Sequence, residues 1–320
     1  MQDTAQTEPL AASRASIAAA HRRIASAVRR TPVIDVNVPG IATPVTLKLE
    51  LLQHTGSFKP RGAFANLMGT NVPAAGVAAA SGGNHGAAVA FAARTLGIPA
   101  HIFVPETTPK PKLARIESYG AEIVLAGERY AAALARCNAF VEETGALAVH
   151  AYDAPATLDG QGTIGLELED QAPDLDTLLV AVGGGGLIGG IAAWCHGGPK
   201  VVGVEPETCN ALHAALQAGR PADVTPSGYA VDSLGASRVG ALVFPIAQVA
   251  VDHVALVEDA DIARAQTWLW NELRLITEPG GATALAALLS GAYVPAPSER
   301  VGIIVCGANT DPATFAKETP

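Results

Sequence analysis

Short apolar runs alternate with helix-like stretches between Gly76 and His150: GVAAA (76–80), AHIFV (100–104), AEIVL (121–125) and ALAVH (146–150). Alternation of this kind predicts βαβ units on a parallel sheet. A second series starts at TLLVAV (177–182), continues with KVVGVE (200–205) and ends at VGIIVC (301–306). Two parallel sheets follow, and with them an α/β chain of two domains. Ahead of both, Ile17, Ala20, Ile24 and Val28 share one face of a helix expected over 15–30, which Thr31-Pro32 should break. VTLKLE (45–50) reads as a strand and Lys59 to Met68 as a helix. No Ser/Gly/Pro-rich linker separates the two series, so the domains are expected to pack closely.

Composition narrows the function classes. With 49% apolar residues in 320, the chain can bury a sizeable core, yet no apolar run of eighteen residues lacks Gly, Pro or charge. A soluble protein with no membrane partner is expected. The first twenty-five residues show no basic region followed by an apolar core and a cleavage site, which points to the cytoplasm. Twenty-one basic against thirty acidic residues give a net charge of −9, and no basic stripe is interleaved with aromatics, so nucleic acid is not an expected partner. Cys137, Cys195, Cys209 and Cys306 are scattered without a C-x-x-C pair, as reduced thiols would be.

Candidate chemistry sits at strand ends, where ligands bind in open parallel sheets. Ser81-Gly82-Gly83-Asn84-His85-Gly86 joins a strand to a helix and offers free amides to a carboxylate or phosphate. Gly183, Gly184, Gly185 and Gly186 open another helix and let the backbone wrap an anion. Small residues again open a helix in EPGGATALAAL (278–288), and CGANTD (306–311) follows the last strand. Gly184, Gly186 and Gly189 also fit G-x-G-x-x-G, with Glu205 where a ribose-binding acid would stand, so a nicotinamide oxidoreductase is a competing reading. A non-catalytic small-molecule binder is a third.

Lys59 decides between them. It stands in HTGSFKPRGAF (54–64) at a helix start, where the dipole disfavours a cation. If it is also desolvated, its amine is neutral and able to form a Schiff base. The nicotinamide reading has no use for such a lysine.

Ser57 to Gly62 (S-F-K-x-R-G), Ser81 to Gly86 (S-G-G-N-H-G), the loop from Gly183 to Leu187 and the final strand with its small polar turn occur in this order. Together they resemble the fold-type II (tryptophan synthase β-like) pyridoxal 5′-phosphate enzymes, in the serine/threonine dehydratase and serine racemase branch. The resemblance implies a large cofactor domain from residues 1–69 and 153–320 and a small substrate-side domain from 70–152. It implies that Lys59 carries the cofactor and later serves as base at Cα, with Phe58 beside the cofactor ring. Asn84 would bond the cofactor's 3′-oxygen, and the amides of Gly183, Gly184, Gly185, Gly186 and Leu187 its phosphate. Cys306 would meet the pyridine nitrogen, while Ser81, Gly82, Asn84 and His85 line the seat of the substrate carboxylate. The implied activity is an ammonia-lyase: a small β-hydroxy amino acid such as L-threonine or L-serine loses its hydroxyl and yields a 2-oxo acid and ammonia. 3-Hydroxyaspartate, a β-aryl serine and racemisation stay open as alternatives, and a homodimer is expected.

Departures from the family pattern sharpen this. Gly82 stands where racemases of the branch carry a serine as second-face acid, which favours elimination. Ser233 replaces a common glycine after Asp232. Glu205 matches a divalent-cation ligand of some relatives, but the acidic partner expected six residues on is Ala211, so a metal is carried only as an option. No regulatory domain is expected after the last strand.

Overall fold

The computed structural model describes residues 10–311, so residues 1–9 and 312–320 of the expected large domain lie outside it. Ten strands form two sheets. In chain order they are β1 (Val33–Val36), β2 (Val45–Lys48), β3 (Val77–Ala80), β4 (Ala100–Val104), β5 (Glu122–Leu125), β6 (Leu147–Ala148), β7 (Thr177–Ala181), β8 (Lys200–Pro206), β9 (His253–Val257) and β10 (Val301–Ile304). The six-stranded sheet runs β1-β2-β10-β7-β8-β9 and the four-stranded sheet β5-β4-β3-β6. Every pair is parallel except β1 with β2. The strands expected from both apolar series are present. β1 and β9, the outer strands of the larger sheet, come in addition.

Parallel strands covered on both faces are apolar throughout, and β2, β3, β7 and β10 are buried at every position. β3 reads VAAA, and this low bulk lets the helix Asn84–Leu96 lie close. A Cβ on Gly86 would stand 2.1 Å from the carbonyl oxygen of Ser81, so glycine is required at this crossing. Leu47, Leu179, Val202 and Ile303 share the core of the larger sheet, whereas Val77, Ala88, Ile102 and Ile116 pack around the smaller one.

The first helix is shorter than expected, Arg14–Ile24 instead of 15–30. Beyond it the main chain of Arg29 serves Gln53, whose side chain accepts from Arg29 N–H at 2.9 Å and donates to Arg29 C=O at 2.7 Å. A helix continued to Arg30 would tie those groups into its own ladder.

A buried ionic cluster ties the lysine-bearing segment to the sheet. Arg61, two residues after Lys59, donates through Nε and Nη2 to Glu50 at 2.8 and 2.7 Å, and through Nη1 and Nη2 to Glu167 at 2.7 and 2.9 Å. Lys48 on β2 donates to the same Glu167 at 2.6 Å. All four side chains are fully or almost fully buried, so each charge depends on its partners.

Candidate active site

The C-terminal ends of β3, β7 and β10 face one cavity of about 480 Å³, within the roughly 300–1,000 Å³ typical of small-molecule sites. Lys59, Phe58, Ser81, Gly82, Asn84, His85, Gly183 to Leu187 and Cys306 all line it. Four segments far apart in sequence therefore meet at one cavity.

Lys59 caps the helix Pro60–Gly69, where Pro60 stands at a position that lacks a helical N–H acceptor in any case. The end of β10 fixes the approach: Phe58 N–H donates to Cys306 C=O at 3.1 Å and Ala308 N–H to Gly56 C=O at 2.9 Å. Lys59 Nζ then reaches Ala151 C=O at 3.0 Å and lies 5.0 Å from the centre of the Phe58 ring. Burial pushes its amine down from the usual lysine range to about 8, although Cys306 and Glu278 pull it up. About a tenth of the amine is then neutral at pH 7, far more than for an ordinary lysine.

The glycine loop meets the requirements of an anion cradle. Gly185 has φ +90° and precedes the helix Gly186–Cys195, whose first amides have no acceptor within the helix. A Cβ on Gly184 would stand 2.4 Å from the Tyr152 ring, and one on Gly186 2.7 Å from Tyr152 Cβ. Any side chain here would collide with Tyr152, so the loop is held to glycine and its main chain stays bare.

Cys306 Sγ lies 3.3 Å from Gly280 C=O, and burial, reinforced by Glu278, pushes the thiol well above its usual range. It is a neutral group facing the cavity. The buried lysine amine, the glycine cradle and this uncharged thiol together fit pyridoxal phosphate: an aldehyde partner, a phosphate seat and a neutral neighbour for the ring nitrogen.

In the Ser81–Gly86 turn, Ser81 Oγ accepts from Gly83 N–H at 3.2 Å. The His85 ring is otherwise engaged. Nε2 lies 2.8 Å from Val149 C=O, which can only accept, so Nε2 carries the proton. Burial, and then the charge of Lys59, push His85 down to about 3, leaving a neutral imidazole. What His85 has for an anion is its main-chain amide at the helix start.

Several lining residues had no role in the sequence reading. Glu278, ahead of Pro279-Gly280-Gly281, accepts from Asn84 Nδ2 at 2.7 Å, and burial pushes its carboxyl up to about 7. Asn309 Nδ2 holds the other end of the same amide at Asn84 Oδ1, 2.5 Å away. Tyr130, Tyr152, Lys112 and Asp232 also stand in the wall. The only advance sign of Glu278 was an acid at a small-residue helix start. Ser233 Oγ accepts from Gly280 N–H at 3.0 Å and ties the two loops together.

Glu205 belongs elsewhere. It is fully buried at the end of β8, and its oxygens accept from Leu212 and His213 N–H at 2.8 Å each, capping the helix Ala211–Ala218. Burial pushes it up to about 8. Each oxygen thus accepts one amide, and the side chain acts as a helix cap outside the cavity. Among the described residues no three His, Cys, Asp or Glu side chains group as metal ligands would, and no helix is long and apolar enough to cross a membrane.

Residues 24–307 match the family model described as pyridoxal-phosphate dependent enzyme. The chain is 39% identical over 315 residues to phenylserine dehydratase of Ralstonia pickettii, with 94% of each covered. It is 40% identical over 303 residues to L-threonine ammonia-lyase of Geobacter sulfurreducens, covering 92% of this chain and 75% of that protein. Maize serine racemase superposes with a TM-score of 0.90 at 34% identity over 96% of each chain. With the lysine, the glycine cradle and the neutral thiol gathered in one cavity, these matches establish that the chain belongs to the pyridoxal-phosphate dependent enzymes.

Proposed function

We propose that the protein is an ammonia-lyase that dehydrates a β-hydroxy amino acid to a 2-oxo acid and ammonia. The observation that carries this reading is Lys59: a desolvated amine beside an anion cradle and across the cavity from a second set of helix-start amides. Pyridoxal phosphate, when bound, withdraws electron density from Cα and so makes the Cα proton removable.

The chain's own residues do the rest. Amides of Gly183 to Leu187 hold the cofactor phosphate, and Cys306, uncharged, faces the ring nitrogen. Asn84 is fixed by Glu278 and Asn309, and its second Nδ2 hydrogen would be available to the cofactor's 3′-oxygen. Amides of the Ser81–His85 turn seat the substrate carboxylate. Lys59, as a neutral amine, would take the proton from Cα, and the β-hydroxyl would take up one proton and leave Cβ as water, so that the proton lost at Cα and the proton gained by the leaving group cancel. Hydrolysis of the released unsaturated amine returns that water and frees ammonia, so the net change is an amino acid to a 2-oxo acid and ammonium.

Gly82 supports elimination over racemisation. It has no side chain to return a proton to the other face, and a Cβ there would stand 2.8 Å from Thr108 Cγ2. Relatives named threonine ammonia-lyase and phenylserine dehydratase agree with a lyase, and the cytoplasm and a homodimer complete the proposal.

The test is an assay of 2-oxo acid and ammonia from a panel of β-hydroxy amino acids, with Lys59→Ala as control. Stoichiometric release that vanishes in the variant supports the reading; release that survives it overturns the assignment of the base.

A further inference from the structure

Thr55, shortly ahead of Lys59, holds a backbone conformation that a β-branched residue avoids, with φ 58° and ψ 14°. Among the described residues Arg274 is the other non-glycine with positive φ, and it closes a helix, an ordinary use of that conformation. The Thr55 side chain does not account for the strain. Its Oγ1 is buried without a hydrogen-bond partner among the described residues. What the turn puts to use is the Thr55 carbonyl.

That carbonyl receives two donors from different parts of the fold: Arg115 Nη2 at 2.5 Å and Asn309 Nδ2 at 2.8 Å. Gly56, next in the chain, is also left-handed at φ +66°, and a Cβ on it would stand 2.7 Å from Asn309 Oδ1. The donors thus close over a turn that has no room for a side chain at this position.

From Thr55 the bonds run into the cavity by two routes. Asn309 Nδ2 also donates to Asn84 Oδ1 at 2.5 Å, and Asn84 Nδ2 donates to Glu278 at 2.7 Å. Along the chain, Gly56 C=O and Phe58 N–H are tied to Ala308 and Cys306 and lead to Lys59. Asn309, Ala308 and Cys306 all follow β10 of the larger sheet. Arg115 comes instead from the helix Lys110–Ser118, between β4 and β5 of the smaller one. It ties the smaller sheet to the lysine segment. Neither Arg115 nor Thr55 lines the cavity, so their effect on a cofactor passes through the residues they hold.

We infer that Arg115 is a positioning residue for the cofactor lysine: through the Thr55 carbonyl it holds the left-handed turn that sets Lys59 and, by way of Asn309, the Asn84 amide. This rests on Lys59 as the cofactor lysine and is independent of which amino acid reacts. A strained turn persists only where its surroundings over-determine it. Without the charge-assisted bond from Arg115, relaxed turns gain population, and capture of the cofactor slows by the fraction of competent turns that is lost.

The experiment is stopped-flow capture of pyridoxal phosphate by the apoenzyme, read at the visible band at fixed pH, with Tm of each variant as the measure of folding. Arg115→Met should capture about tenfold more slowly, the worth of a hydrogen bond from a charged donor. Arg94→Met, which cuts a 3.1 Å bond to Ser118 C=O at the end of the same helix and spares Thr55, should capture at the parent rate. In a Thr55→Gly background the left-handed turn carries no strain, and Arg115→Met should then cost about twofold or less. Arg115→Gln carries the same expectations and replaces the Met variant if that chain does not fold. Capture at the parent rate without Arg115, or equal slowing in Arg94→Met, overturns the positioning role. So does a loss undiminished by Thr55→Gly, the mark of an effect by charge alone. A parent chain that captures no pyridoxal phosphate overturns Lys59 as the cofactor lysine, which is a separate failure.

Discussion

Glu278 and Asn84 are joined by a 2.7 Å hydrogen bond at the wall of the cavity, with the carboxylate buried and its pKa raised to about 7. The bond orients the Asn84 amide, and the carboxylate raises the pKa of Lys59 against its own desolvation. Removing that charge therefore lowers the pKa of Lys59. In the apoenzyme the rate of covalent capture of pyridoxal phosphate should rise with pH through a midpoint near 8 and level off above it. In Glu278→Gln the midpoint should move to lower pH. Stopped-flow measurement of the visible band across pH 6 to 10 checks this; an unmoved midpoint would show that Glu278 does not act on Lys59.

Gly184 is packed under the Tyr152 ring. Gly184→Ala should cost about 1–3 kcal/mol of stability by overpacking and, by displacing the Tyr152 ring from the glycine loop, weaken cofactor binding as well. Titration of the apoenzyme with pyridoxal phosphate reads this directly. Gly97→Ala, whose Cβ meets nothing within 4 Å but whose φ is +69°, should reduce stability and leave cofactor affinity alone.

The buried charges around Arg61 should behave as a unit. Glu167→Gln removes the carboxylate shared by Arg61 and Lys48 and leaves both cations short of a partner. A loss of about 3–5 kcal/mol in stability is expected, seen as a lowered Tm. The neutral pair Lys48→Met with Glu167→Gln should lose less than the sum of its single variants.

Much of this arrangement was legible before the structure, and the exceptions have physical causes. Strands such as AHIFV and TLLVA are buried on both faces, so their apolar runs are unbroken. β1 and β9 are outer strands; Asp35 and His253 are exposed, and the signal is diluted. β6 is only Leu147–Ala148; ahead of it Ala146 N–H turns to Thr144 Oγ1 at 3.2 Å. Lys59 and the glycine loop announce themselves by residues that are costly without a ligand. Glu278, Tyr130 and Tyr152 are common residue types whose role comes only from the cavity they share. The His85 ring points to Val149, a tertiary contact that no local pattern encodes.

Gly82 predicts a further outcome. In Gly82→Ser the new Cβ crowds Thr108, so the added hydroxyl is expected to return protons to the second face only when Thr108 is trimmed. Chiral analysis of residual serine should show more D-isomer from Gly82→Ser/Thr108→Ala than from Gly82→Ser. Equal D-serine from both would contradict the crowding.

The most direct test of the central claim is borohydride reduction of the yellow holoenzyme followed by peptide mapping. Loss of the visible band and a pyridoxyl mass on the peptide containing Lys59, at one per chain, are expected. A pyridoxyl group fixed on another lysine, or a protein that takes up no pyridoxal phosphate, would contradict it.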